Sequence, residues 1–249
     1  MRNEQPGSPK RGDAQGSTQP CQLELPVPAA WGGARRGSGQ KRTSPRPSPP
    51  HRSRPELDVR HPVHVTLRGA PSVPSFRSTR VFKALRLALG ASNRAAFRVI
   101  HFSIQLDHVN LIVEADSARA FAKGMRGLAT RCALAVNRAD RRGGRVWDRR
   151  YHTHELRTPS EVRRAMIYVL LNFRKHLRAA PAVDPRSSGV WFEGWAEEFE
   201  ASDWPRLAAL PRTWLGAFGW RRAGGAISVR EPFGVSRKHL RVPRKVGAA

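Results

Sequence analysis

Two short stretches in the middle of the chain carry residue types and spacings that could do chemistry. In Asp107-His108-Val109-Asn110-Leu111-Ile112-Val113, a strand period of two puts His108 and Asn110 on one face and Val109, Leu111 and Val113 on the other, toward a core. An imidazole nitrogen beside an amide oxygen can hold a divalent cation. The same pair also reads as a structural histidine next to a surface amide. The second stretch holds Tyr168, one of only two tyrosines, with Asn172 four residues on and therefore its neighbour on one helix face. A phenol can attack phosphorus when a cation and a neighbouring base help remove its proton. Without such help, Tyr168 is an amphipathic ring at a helix–sheet boundary.

A basic stretch lies between them. Arg141, Arg142, Arg145, Arg149 and Arg150 fall within ten residues, with Trp147 and the other tyrosine, Tyr151, among them. Guanidinium groups neutralise phosphates and aromatic faces stack on unpaired bases, which is how single-stranded DNA is held. The alternative for the cluster is a solvated loop; Trp147 itself is expected to plug the core. His152-Thr153-His154 follows as a second His-x-His, read either as a substitute metal site or as loop and phosphate contact. Arg174 and Lys175, beyond Tyr168, are placed to face a phosphate backbone.

Such groups need elements to position them. Val63, Val65 and Leu67 alternate with polar residues, which predicts a half-buried strand. Ser78 or Thr79 can cap a helix carrying Val81, Phe82, Leu85 and Leu89. Ile100, Phe102, Ile104 and Leu106 alternate, and Val109, Leu111 and Val113 alternate again after a break at Asp107, so two strands joined by a tight turn are expected. Asp116 or Ser117 starts a second helix with Phe121, Met125 and Leu128, running to about Val136. Thr158, Pro159 and Glu161 form a capping-box signature for a last helix with Val162, Met166, Val169 and Phe173 on its apolar face, ending near His176 or Arg178. The order strand–helix–strand–strand–helix–(strand)–helix predicts an α+β fold, a ferredoxin-like antiparallel sheet with helices packed on it.

Composition bounds the rest. Among 249 residues, 45 Lys+Arg stand against 19 Asp+Glu, a net charge of +26, so an anionic polymer or an acidic protein is the natural counterpart. Arginine supplies 38 of the 45, a bias that weakens the argument from charge alone. Twenty-four of the basic residues lie in 59–180, the patterned part. Residues 1–58, with ten prolines and seven glycines and no period, read as a disordered segment; 181–249 reads as a partly ordered tail. No apolar run is long enough for a membrane span, and Leu23–Trp31, broken by Glu24, Pro26 and Pro28, is no secretory signal. Cys21 and Cys132 lie far apart, which excludes a disulfide scaffold or a zinc finger and fits a reducing cytoplasm.

From about His61 to His176 the chain resembles the single-tyrosine HUH transposases, specifically the REP-associated tyrosine transposase branch. The resemblance rests on the order and spacing of HPVHVTLR, FSIQLDHVNLIVEA, GRVWDRRYH and EVRRAMIYVLLNFRKH. SSGVWFEGW and PRTWLGAFGW are similar to the tail of one branch. The resemblance implies a domain over 59–180 in which His108 and Asn172 are ligands for Mg²⁺ or Mn²⁺ and Tyr168 is the nucleophile. Asn110 stands where the family has its second motif histidine. It implies nicking and rejoining of single-stranded DNA hairpins through a 5′-phosphotyrosine, action as a homodimer, and a cytoplasmic, nucleoid-associated location in a bacterium. Because an amide is a weaker donor than imidazole, Asn110 keeps open a second expectation: a catalytically impaired hairpin DNA (or RNA) binding protein.

Overall fold

The computed structural model describes residues 57–175, 181–200 and 202–232. The disordered-segment reading of 1–58 and the position of Cys21 therefore lie almost wholly outside the described residues. The described chain follows the expected order, with the bracketed strand present: β1 (Val63–Arg68), α1 (Thr79–Gly90), β2 (Phe97–Ile104), β3 (His108–Ala115), α2 (Ala118–Ala139), β4 (His152–Glu155), α3 (Pro159–Leu171) and a short α4 (Trp214–Ala217). The four strands form one sheet in the order β2-β3-β1-β4, every pair antiparallel, which is the ferredoxin-like arrangement.

Alternation in β1 and β3 sends Val63, Val65, Leu67, Val109, Leu111 and Val113 into a core shared with α1 and α2. Val81, Phe82, Leu85 and Leu89 of α1 and Phe121, Met125, Leu128, Cys132 and Val136 of α2 close that core. The Ser117 hydroxyl caps α2 by accepting from the Ala120 N–H. Gly124 lets α2 lie against β2, since a Cβ there would come within 2.2 Å of the Phe97 ring. Burial pushes the Cys132 thiol up to about 12, so it packs as a small apolar group.

The opposite face of the sheet is covered by α3, which gives three layers. Thr158 and Glu161 form the expected reciprocal cap, with Pro159 in the first turn. The α-helix stops at Leu171 and continues as a 3₁₀ turn over Asn172–Lys175; the expected end at His176 or Arg178 lies outside the described residues. Its burial is also wider than one stripe. Ala165, Ile167, Leu170 and Leu171 are buried as well, because the tail packs on the far side of α3 through Leu215, Trp220 and Ile227.

β2 departs from simple alternation. A bulge between Val99 and His101 takes Ile100 out of register. Ile100 therefore joins the α3 side, whereas Val99, Phe102 and Ile104 face α1 and α2. All eight residues of β2 are buried, since both faces are covered. Leu106 lies in the turn and is exposed.

The tail protects the edge of β2, where an open strand would invite pairing with another chain. Ser103 bridges Ser187, the Ile104 N–H donates to Arg186, and the Ala209 N–H donates to Val99. Two buried carboxylates fasten it. Asp184 accepts both terminal nitrogens of Arg77, at 2.7 and 2.9 Å. Glu114 accepts from the Arg212 and Thr213 N–H groups and from the Thr213 hydroxyl. Asp184→Ala leaves the Arg77 guanidinium buried without its counter-charge, and about 3 kcal/mol of stability should be lost. Urea unfolding followed by tryptophan fluorescence reads this; a loss below about 1 kcal/mol would show that the tail is not fastened here. No helix of the described residues is long and apolar enough to cross a membrane.

Candidate functional site

The sheet face beneath α3 is unusually polar. The register aligns Ser103, Asn110, Thr66 and His152 in one row across four strands, and His101, Ile112, His64 and His154 in the next. Paired residues point to the same side, so the polar members of these rows all face α3. Asn110 is wholly buried there rather than a surface amide. Its Oδ1 accepts from the Thr66 hydroxyl at 3.0 Å, and its Nδ2 is buried without a hydrogen-bond partner.

His108 opens β3 at the edge of this face. Its Nδ1 lies 2.7 Å from an Asp107 carboxylate oxygen, which can only accept, so Nδ1 carries the proton. That contact holds the Asp107 carboxyl below its usual range. The other ring nitrogen, Nε2, is 3.3 Å from the Asn172 amide Nδ2, across 64 residues of sequence. Asn172 is almost fully buried and begins the 3₁₀ turn that ends α3. One turn earlier, half-buried Tyr168 meets the His64 ring edge-on, with centroids 5.5 Å apart and planes at 76°. Burial, with the positive fields of His154 and His152, lowers the His64 pKa to about 4 and keeps the ring neutral near pH 7. His64 escaped the sequence reading although the signal was there: in HPVHVTLR it alternates with the buried valines and so falls on the face of Thr66 and Asn110.

The residues can be weighed against a divalent cation. His108 has the tautomer of a ligand, with a carboxylate behind Nδ1 orienting the ring. The Asn172 side-chain amide stands beside Nε2, its Nδ2 at 3.3 Å, and its Oδ1 would be the atom turned toward an ion held there. Asn110 offers a second amide, whose Oδ1 is the atom that could ligate and is held by the Thr66 hydroxyl. The set fits a hard cation, although every one of these donors is neutral. Among the described residues no three His, Cys, Asp or Glu side chains group as a metal site, so His152 and His154 do not build a substitute with His64. These two histidines lie on edge strand β4 rather than in a loop, exposed, with His154 at 4.0 Å from Glu161.

The arginine stretch matches its sequence reading only in part: Trp147 packs on the core as expected, and Tyr151 does so too. Both aromatic rings turn inward. Trp147 donates to the Ala129 carbonyl and packs against Phe76, and Tyr151 packs against Phe121. Neither ring is placed to stack on bases, because the α1–α2 core takes both. Two arginines brace the loop itself: Arg142 bonds the Asn137 side chain, and Arg145 bonds the Trp147 carbonyl and lies 3.8 Å from Asp148. Arg141, at a left-handed φ of 50°, and Arg149 and Arg150 are exposed, Arg149 lying 3.7 Å from Asp148. Arg174 donates to the Val229 carbonyl of the tail. The Lys175 side chain lies outside the described residues.

No protein-family model matches the chain, and no curated protein is similar to it. Among solved structures, a REP-associated tyrosine transposase bound to a REP hairpin is similar at 16% identity and a TM-score of 0.48, over 62% of this chain and 98% of that one.

Proposed function

We propose that this protein is a DNA transposase that nicks and rejoins single-stranded DNA hairpins through Tyr168. One observation carries the reading: the fold brings His108 and Asn172, distant in sequence, within 3.3 Å of each other, one helical turn from a tyrosine on the same sheet face. Tyr168 supplies the nucleophilic oxygen. Its attack on the scissile phosphorus forms the phosphotyrosine bond and releases a 3′-hydroxyl, which can reverse the step by attacking that bond. Asp107 fixes the His108 tautomer, Asn172 meets its Nε2, and α3 shields the polar face from water. Mg²⁺ or Mn²⁺ held by His108, Asn172 and Asn110 would polarise the phosphate and stabilise its developing charge. Exposed Arg141, Arg149 and Arg150 supply phosphate contacts along the approaching strand.

A second reading is favoured by Asn110. Its oxygen is already taken up by Thr66 at 3.0 Å. A protein that binds hairpins without cutting them would tolerate that bond. The test is incubation with a hairpin-bearing single strand and Mn²⁺ or Mg²⁺, read as a covalent adduct on a denaturing gel. An adduct is the expected result. Tight binding without an adduct in either metal, with Asn110→His creating one, would overturn cutting in favour of binding alone. A matched RNA hairpin that competes as well as DNA would move the partner to RNA.

A further inference from the structure

The stretch 210–222 presents aromatic and cationic side chains together on an open surface. Leu210, Trp214 and Phe218 are 65%, 51% and 68% exposed, whereas Leu215 and Trp220 of the same stretch are buried. The stretch is thus folded, and the exposure is selective. Trp214 and Phe218 stand one turn apart, linked by the bond from the Phe218 N–H to the Trp214 carbonyl. Arg222 lies over the Trp214 ring at 5.1 Å. Arg212, Arg221 and Arg222 form no ion pair among the described residues. Trp214 and Arg212 also wall an open cavity of about 820 Å³, large enough for a nucleotide, whose far rim includes Arg60, Arg157 and Pro159. Arg60 and Arg157 are already paired with Asp58 and Glu155, so free cationic capacity rests with the tail arginines.

We propose that Trp214 and Phe218, with Arg212 and Arg222, form a stacking platform for unpaired nucleotides. Rings that take the face of any base, beside guanidinium groups that take its phosphate, suit a single strand rather than a duplex. Asp116 also lines the cavity, its carboxyl held low by Arg98 and, more weakly, by Arg212, yet the arginines outnumber it, and a polyanion suits that excess better than an apolar protein surface does. Placement supports the same occupant. Pro159 opens α3 and Tyr168 and Asn172 lie at its other end, roughly 14–20 Å away at 1.5 Å per residue. The platform rests on the nucleic-acid reading above: a strand leaving Tyr168 along α3 reaches the cavity within a few nucleotides.

The test compares the full chain with a Trp214→Ala/Phe218→Ala variant, both changes being at exposed positions. Three probes are used: a DNA hairpin with an unpaired flank, the same hairpin trimmed blunt, and single-stranded oligothymidine. The variant should bind the flanked hairpin and the oligothymidine about a hundred-fold more weakly, about ten-fold for each ring, and the blunt hairpin unchanged. Its thermal unfolding should match that of the parent. Equal losses on flanked and blunt hairpins, or no loss, would overturn the platform while the hairpin reading stands. Parent protein that binds oligothymidine but no hairpin sinks the hairpin reading and leaves the platform; binding of none of the probes sinks both. A shift from dimer to monomer in sedimentation of the variant would make the patch a self-interface and overturn the proposal.

Discussion

Tyr168→Phe is expected to abolish the covalent protein–DNA adduct while leaving hairpin affinity within about three-fold. The substitution removes the oxygen proposed as the nucleophile and keeps the ring. The ring would keep its edge-on seat against His64, and α3 would keep its capping box and its buried side chains. Loss of a nucleophile costs on the order of 10⁴-fold or more in rate, which places the product below detection on a denaturing gel. Tyr151 provides the control, because it lies on the other side of the sheet against Phe121. Tyr151→Phe should leave the adduct intact. An adduct that survives Tyr168→Phe, or that disappears only with Tyr151→Phe, rules out the assignment of the nucleophile.

Legibility of the sequence differed by element for physical reasons. β1, α1, α2 and the start of α3 each bury chiefly one side, and β3, buried on both faces, keeps its polar residues in one phase, so their apolar period, caps and breaks could be read directly. β2 was read as a strand from the alternation of His101 and Ser103 with Phe102 and Ile104, but with both faces buried the bulge that turns Ile100 to the α3 side left no sign in that pattern. α3 misled in the same way, since its outer side is covered by a tail whose contacts lie tens of residues downstream. Local spacing did place His108 with Asn110 and Tyr168 with Asn172. It could not show that the two pairs meet, that Thr66 occupies the Asn110 oxygen, or that His64 joins them, all of which depend on strand register. The arginine stretch was legible only in part: Trp147 was expected in the core, and Tyr151 was not. An aromatic interleaved with cations carries no label saying which way its ring points; at 147 and 151 the core claims the rings, and at 214 and 218 it does not.

Register also makes the fold sensitive to acid, and stability should fall by about 4 kcal/mol between pH 7 and pH 5. Two histidines lie beneath α3 and the tail, His101 buried and His64 half-buried. His64 is held down to about 4 by burial and the fields of His154 and His152, and His101 to about 3 by burial and Arg206. Both are neutral in the folded chain across this range. In the unfolded chain they take up protons below about 6.5, so the unfolded state binds more protons and gains free energy as the pH falls. Each contributes about 2 kcal/mol of lost stability by pH 5, at 1.36 kcal/mol per pH unit. The loss continues to about pH 4 for His64 and about pH 3 for His101, where the folded state protonates too. Each slope fades above the unfolded pKa of about 6.5 and is nearly gone by about pH 7.5. The carboxylates held low by their partners, Asp107 and Glu155 among them, act only below their unfolded range near pH 4 and leave the upper window to the histidines. Urea titrations at half-unit steps from pH 7 to pH 5 check this, and the slope near pH 5 should approach that of two protons. A flat profile over that window would show that neither ring is buried as described. His101→Phe, which keeps a ring against Phe192, should remove about half of the slope.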